Sequence, residues 1–188
     1  MTLTGSEKRD LIEIAFKAIS EAVDPLGRVS AGTVELTPSL ESRCGAFVSL
    51  YVDRKLRGCI GTFSEEEPLY INVERMAVSS ATSDTRFTPI QPDELTRLQV
   101  EISVLTPRLR IHDPSEIEIG KHGIFMKKGA NRGTFLPQVA VSQDWTVQEF
   151  LGNCARYKAG IGWNGWKTAE LYTYEAIVFS SDDLSRKS

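Results

Sequence analysis

Nowhere do apolar residues run on for the roughly 18 positions that a membrane-spanning helix needs. The opening Met1-Thr2-Leu3-Thr4 has neither the basic stretch nor the apolar core of a secretory signal, so residence in the cytoplasm is expected. Cysteine is scarce. Cys44, Cys59 and Cys154 are an odd number with no Cys-x-x-Cys pair, and His112 and His122 do not stand at zinc-site spacing. Neither a disulfide framework nor a structural metal is supported, and no cofactor of the chain's own is expected. An excess of basic residues is missing too: 22 Lys and Arg face 25 Asp and Glu, a net charge of −3. That leaves no electrostatic footprint for nucleic acid or an anionic membrane.

What is present is an ordinary globular composition, 41% hydrophobic and 25% charged over 188 residues. A chain of this length buries a substantial core without staples, as one domain or one domain with a smaller lobe. Leu11, Ile12, Ala15, Phe16, Ile19, Ala22 and Val23 recur at helical spacing behind a Thr4/Glu7 capping-box pattern, and Asp24-Pro25 ends that helix. A polar loop follows to Pro38. Ala46, Val48, Leu50 and Val52 alternate as a strand, Asp53-Arg54-Lys55 makes a turn, and Leu56 to Phe63 returns as the partner of a hairpin. Ser64 and Glu67 repeat the capping pattern ahead of a second helix through Leu69, Val73, Met76, Ala77, Ser80 and Ala81. Its first backbone N–H groups are a potential anion site, although Glu65, Glu66 and Glu67 already sit there.

Leu98, Val100, Ile102 and Val104 mark one face of a further strand, with Glu101 and Ser103 on the other. Residues 121–127 and 134–137 form a second hairpin around a Gly/Asn turn, and Thr146/Glu149 caps a helix that places Cys154 in the core. Leu171 to Phe179 alternates as a closing strand. A hairpin followed by a helix thus occurs twice, over 45–82 and 121–159, which hints at duplication. The element order points to an α+β fold with a mainly antiparallel sheet.

The most informative stretch is Leu56-Arg57-Gly58-Cys59-Ile60-Gly61. Two glycines three residues apart in a strand signal that something approaches this backbone closely. In a regular strand Arg57 and Cys59 share a face about 7 Å apart, near enough for the guanidinium to favour the reactive thiolate. A tightly packed strand carrying a small buried cysteine fits the same spacing. The hairpin setting places this strand in the interior of a sheet.

That run, with Asp84, Arg86-Phe87 and Pro89, Glu101 to Leu105, His122-Gly123, Leu136 to Ala140, Trp145, Phe150-Leu151, Lys158-Ala159-Gly160 and Leu171-Tyr172, resembles the AMMECR family in order. The likeness spans roughly residues 8–180. Thr85 departs from the proline usual in the family, and Ser142 from an acidic residue. The resemblance implies one AMMECR-type domain over 1–188 with a cavity lined by family residues; a smaller lobe with a cleft between lobes is the alternative that the length leaves open. It also implies a barrel-like antiparallel sheet with two related strand-helix repeats and helices packed outside. It further implies genomic association with a Memo-type protein and a radical-SAM protein.

Three functions follow. In the first, a small anionic ligand binds in a cleft around the motif. Cys59 acts as nucleophile or covalent anchor, Arg57 and Arg86 hold the anionic group, Gly58 and Gly61 admit the ligand to the backbone, and Glu101 or His122 moves protons. A structural turn role for His122, and an ion pair of Glu101 with Arg57 or Arg86, stand beside this. In the second, the same surface docks a partner protein without catalysis, with Arg57 as an anchor. The third, a nucleic-acid binder using Arg54, Lys55, Arg57, Lys127, Lys128 and Arg132 with Trp163 and Trp166, is the least favoured because of the net acidity.

Overall fold

The structure, a computed structural model, describes residues 1–27 and 34–185; the loop expected up to Pro38 therefore lies partly outside the described residues. The chain divides into two compact units, Met1–Leu105 with the chain from Ile177 onward, and Thr106–Ala176. No helix among the described residues is long and apolar enough to cross a membrane.

In the first unit, helix α1 (Gly5–Val23) opens with the expected capping box: the Thr4 hydroxyl accepts the Glu7 N–H at 3.2 Å, and the Glu7 carboxylate accepts the Thr4 N–H at 2.7 Å. Leu11, Ala15 and Ile19 on its inner face are fully buried. Strands β1 (Ala46–Val52) and β2 (Lys55–Thr62) form the hairpin. Its tip is tighter than the sequence implies, because Lys55 already pairs with Val52 and only Asp53 and Arg54 turn, at φ 50° and 63°. Two successive positive-φ residues give the type I′ geometry that matches strand twist. Helix α2 (Leu69–Thr82) and strand β3 (Leu98–Leu105) follow.

Helix α2 departs from its expected start. Pro68 is the N-cap and no side chain caps it. Ser64 instead accepts the Glu66 N–H at 3.2 Å, and Glu67 pairs with Arg75. The first helical N–H groups, of Leu69 and Tyr70, donate to the carbonyls of Ser42 and Leu40 at 2.9 and 3.2 Å. The chain's own backbone therefore fills the place considered for an anion.

The second unit contains β4 (Leu109–Ile111), the hairpin β5 (Gly123–Lys128) and β6 (Asn131–Phe135), short helix α3 (Pro137–Ser142), capped helix α4 (Val147–Asn153) and β7 (Glu170–Tyr174). A single π turn, Cys154–Lys158, extends α4 and closes through the Ala159 N–H donating to the Cys154 carbonyl at 3.0 Å. Cys154 is fully buried with Phe150, Leu151, Ile124 and Met126, as its helical spacing requires.

Two expectations change. Leu171 to Phe179 is not one strand: it breaks at Glu175 into β7 and β8 (Ala176–Ser180), followed by α5 (Ser181–Ser185). The strands also do not make one barrel-like sheet. They form two open four-stranded sheets, ordered β2-β1-β3-β8 and β4-β7-β5-β6, and β7 and β8 go to different ones. The α+β class holds, with β1 antiparallel to β2 and β3, and β5 antiparallel to β6 and β7. In each sheet the second hairpin strand lies at an edge and the first lies beside it. The motif strand β2 is thus an edge strand, not an interior one.

Candidate functional site

An edge strand exposes unpaired backbone groups unless something covers them. Here side chains do the covering. The Cys59 N–H donates to Asp84 Oδ2 at 2.8 Å, and Arg86 Nη2 donates to the Cys59 carbonyl at 2.8 Å. Arg86 also grips Asp84 through Nε and Nη2, at 2.9 and 2.7 Å. This pair acts as a one-residue substitute for a neighbouring strand. Arg86, ahead of smaller contributions from the backbone N–H groups, holds the nearly buried Asp84 carboxyl far below the usual carboxylate range against the cost of burial.

The glycines answer to the chain itself. A Cβ on Gly58 would stand 2.1 Å from the Ser80 carbonyl oxygen of α2, and one on Gly61 would stand 2.2 Å from the Phe47 ring. The Ser80 hydroxyl accepts the Ile60 N–H at 2.9 Å and donates to the Val48 carbonyl at 2.8 Å, so the helix threads a hydroxyl into the β1/β2 ladder. Arg57 falls where the register shifts between Leu50 and Tyr51, and it has no partner across the strand. That bulge breaks the regular alternation which would pair Arg57 with Cys59. Its guanidinium binds both Glu94 oxygens at 3.0 and 2.9 Å and the Thr88 carbonyl at 3.0 Å, with both side chains under a fifth exposed. Arg57 therefore clamps a loop. The ion pairs considered for Glu101 belong instead to Glu94 and Asp84.

The opposite face of the sheet carries different chemistry. Cys59, Ser49 and Glu101 lie in one row across β2, β1 and β3, where directly opposed side chains are about 5 Å apart. The Ser49 hydroxyl donates to Cys59 Sγ at 3.2 Å. Tyr51 lies two residues along β1 on the same face, and its pKa is raised by burial, then by the charges of Glu101 and Cys59. Thiol and hydroxyl are thus hydrogen-bonded, with a phenol and a carboxylate on the same face. Arg86 borders it: after Asp84, Cys59 is among the groups that favour its charged form. Arg86 is 58% exposed, and Nη1 has no protein partner among the described residues.

Of the residues singled out in the sequence, Cys59, Glu101 and Arg86 come together on this face. His122 does not join them through its contacts. Its Nδ1 accepts the Glu118 N–H at 3.1 Å and its Nε2 lies 4.0 Å from Glu175, both in the second unit, which makes it a turn residue there. Sequence reasoning missed Ser49 and Tyr51, whose only signal was their place on the polar side of β1, opposite the motif strand. A pocket of about 250 Å³ adjoins the row and shares Tyr51 and Glu101 with it. A larger one, about 290 Å³, lies along α1 and contains no motif residue. Among the described residues no cluster of three or more His, Cys, Asp or Glu is placed to hold a metal.

The AMMECR1 family model matches residues 12–179. A Methanopyrus kandleri protein is 38% identical over 192 residues, covering 96% of this chain and 91% of that protein. A Methanosarcina mazei protein is 36% identical over 191 residues, covering 96% and 94%. The crystal structure of an uncharacterized protein from Pyrococcus horikoshii is similar at a TM-score of 0.73 and 33% identity, covering 90% of this chain and 89% of that one. With the family model matching residues 12–179 and the fold and nearly the full length shared with these relatives, the chain belongs to the AMMECR1 family.

Proposed function

We propose that the outer face of the first sheet is a thiol-centred site for a small anionic ligand bearing an electrophilic carbonyl carbon. In this reading Cys59 adds to that carbon: the S–C bond forms as the C=O π bond opens. The thiol proton goes to the Glu101 carboxylate at the other end of the row, the Ser49 hydroxyl donates to the resulting thiolate, and Arg86 Nη1 faces the ligand's anionic group. Arg57, Gly58 and Gly61 leave the ligand-binding set, since their capacity is spent on Glu94, Ser80 and Phe47. The observation that carries the reading is the row of Cys59, Ser49 and Glu101, with the Ser49 hydroxyl donating to Cys59 Sγ at 3.2 Å, on a face the core does not use. Within a Memo-type and radical-SAM system, the chain would bind or modify a small metabolite that its partners supply or consume.

Alkylation of the native protein tests this. Cys59 should label with iodoacetamide while Cys44 and Cys154 resist, because burial raises the Cys44 thiol and pushes Cys154 up to about 12. Cys59 should also prefer anionic iodoacetate over iodoacetamide more strongly than free N-acetylcysteine does. An inert Cys59, or no such preference, would sink the site. Association with the Memo-type and radical-SAM proteins is tested by co-purification, and its absence would remove the system from the reading.

A further inference from the structure

The pocket beside the thiol row is lined by Tyr51, Arg54, Gln99, Glu101, Ser180 and Asp182, all in the first unit. Its charges are of both signs and are left apart. Among the described residues neither Arg54 nor the half-buried Glu101 has an ion-pair partner, and Asp182 Oδ2 accepts only the Gln99 amide at 3.0 Å. Arg54 stands exposed at the hairpin tip, its backbone at a φ of 63°. At about 250 Å³ the pocket is smaller than the roughly 300–1,000 Å³ of drug-sized sites and suits a small metabolite.

Two carboxylates repel a simple anion, and the guanidinium repels a simple cation. A ligand with both charges satisfies the lining. We propose that this pocket binds the zwitterionic end of an α-amino acid, with its ammonium between Glu101 and Asp182 and its carboxylate on Arg54. The side chain then runs along Tyr51 toward Cys59. The inference rests on the thiol-centred reading for what happens at Cys59, and names the class of ligand that reaches it. Charge-assisted contacts of this kind supply most of the discrimination, because an analogue lacking either charge leaves a polar group unanswered.

The test is an NMR titration of the full chain with L-serine, N-acetyl-L-serine and L-serinamide, following the amides of Tyr51, Gln99 and Ser180. L-Serine should move them, and each blocked analogue should bind about tenfold more weakly, the loss expected from one charge-assisted contact. In Arg54→Ala the advantage of L-serine over L-serinamide should vanish. In Asp182→Asn its advantage over the N-acetyl form should shrink. Equal binding of all three, or no movement at saturating millimolar L-serine, overturns the proposal. Iodoacetamide labelling of the same sample separates the two readings. Serine binding with an inert Cys59 removes the thiol and keeps the pocket, whereas a labelled Cys59 with no serine response does the reverse.

Discussion

The two sheets carry equivalent rows on equivalent strands. Across β2, β1 and β3 stand Cys59, Ser49 and Glu101; across β6, β5 and β7 stand Thr134, Phe125 and Tyr172. The second row closes on itself. Phe125 and Tyr172 meet edge to face at 5.8 Å, Arg108 lies 4.5 Å over the Phe125 ring, and the Thr134 hydroxyl donates to the Ile124 carbonyl at 2.8 Å. Beneath the rows the same device recurs. Gly58 admits the α2 backbone to β2, and Gly133 admits Lys158 and Ala159 to β6, where a Cβ would stand 2.7 Å from the Ala159 nitrogen. The scaffold needs the edge glycine and the helix pressed on it. It does not need the row of thiol, hydroxyl and carboxylate, and that difference is the basis for proposing chemistry on the first sheet.

The largest effect should come from filling that glycine. Gly58→Ala forces α2 off the sheet at a backbone atom, which nothing flexible can relieve, and should cost about 3 kcal/mol or more in denaturant unfolding. Gly133→Ala, with a longer approach, should cost about 1–3 kcal/mol. Equal costs would break the comparison between the two edges. Next is the side-chain substitute for a strand. Asp84→Ala leaves the Cys59 N–H unanswered and should cost about 2 kcal/mol, a figure held down by the exposure of Arg86. An unchanged midpoint would show that the pair only decorates the edge.

A smaller difference should appear in acid. Glu7 is held near a pKa of about 2, first by the Thr37 hydroxyl and then by the Thr4 backbone, and Asp84 is held lower still. A depressed carboxyl contributes stability that is present above its unfolded value, 4.5 for Glu7, and is lost as pH falls through the folded value. The lowered carboxyls of the second unit, Asp113, Glu116 and Glu149, are at the surface, so they contribute little. Amide exchange should therefore rise in α1 and β2 before β5 and β7 as pH drops from 4 toward 2. The opposite order would contradict the assignment.

Local pattern made much of this fold legible. The Thr4/Glu7 and Thr146/Glu149 caps, the alternation in β1 and β3, and the burial of Cys154 all follow from spacing within one element. What the sequence hid depends on pairing between distant segments. Glycines in β2 announced a close approach but not that Ser80 and Phe47 make it. A single bulge at Arg57 redirected the guanidinium to Glu94, and the apparent last strand was two because its halves pair in different sheets. Ser49 was an ordinary alternating residue until strand register set it between Cys59 and Glu101, with Tyr51 two residues along the same face.

The central claim is that Glu101 serves as the proton acceptor for Cys59 across this row of the first sheet. It is tested most directly by the rate at which neutral iodoacetamide labels Cys59 near pH 7 in the native chain and in Glu101→Gln. Removing the terminal proton acceptor should slow labelling at least about tenfold while the unfolding midpoint stays put. An unchanged rate in a folded Glu101→Gln protein would contradict the claim and leave Cys59 a structural thiol on a covered edge.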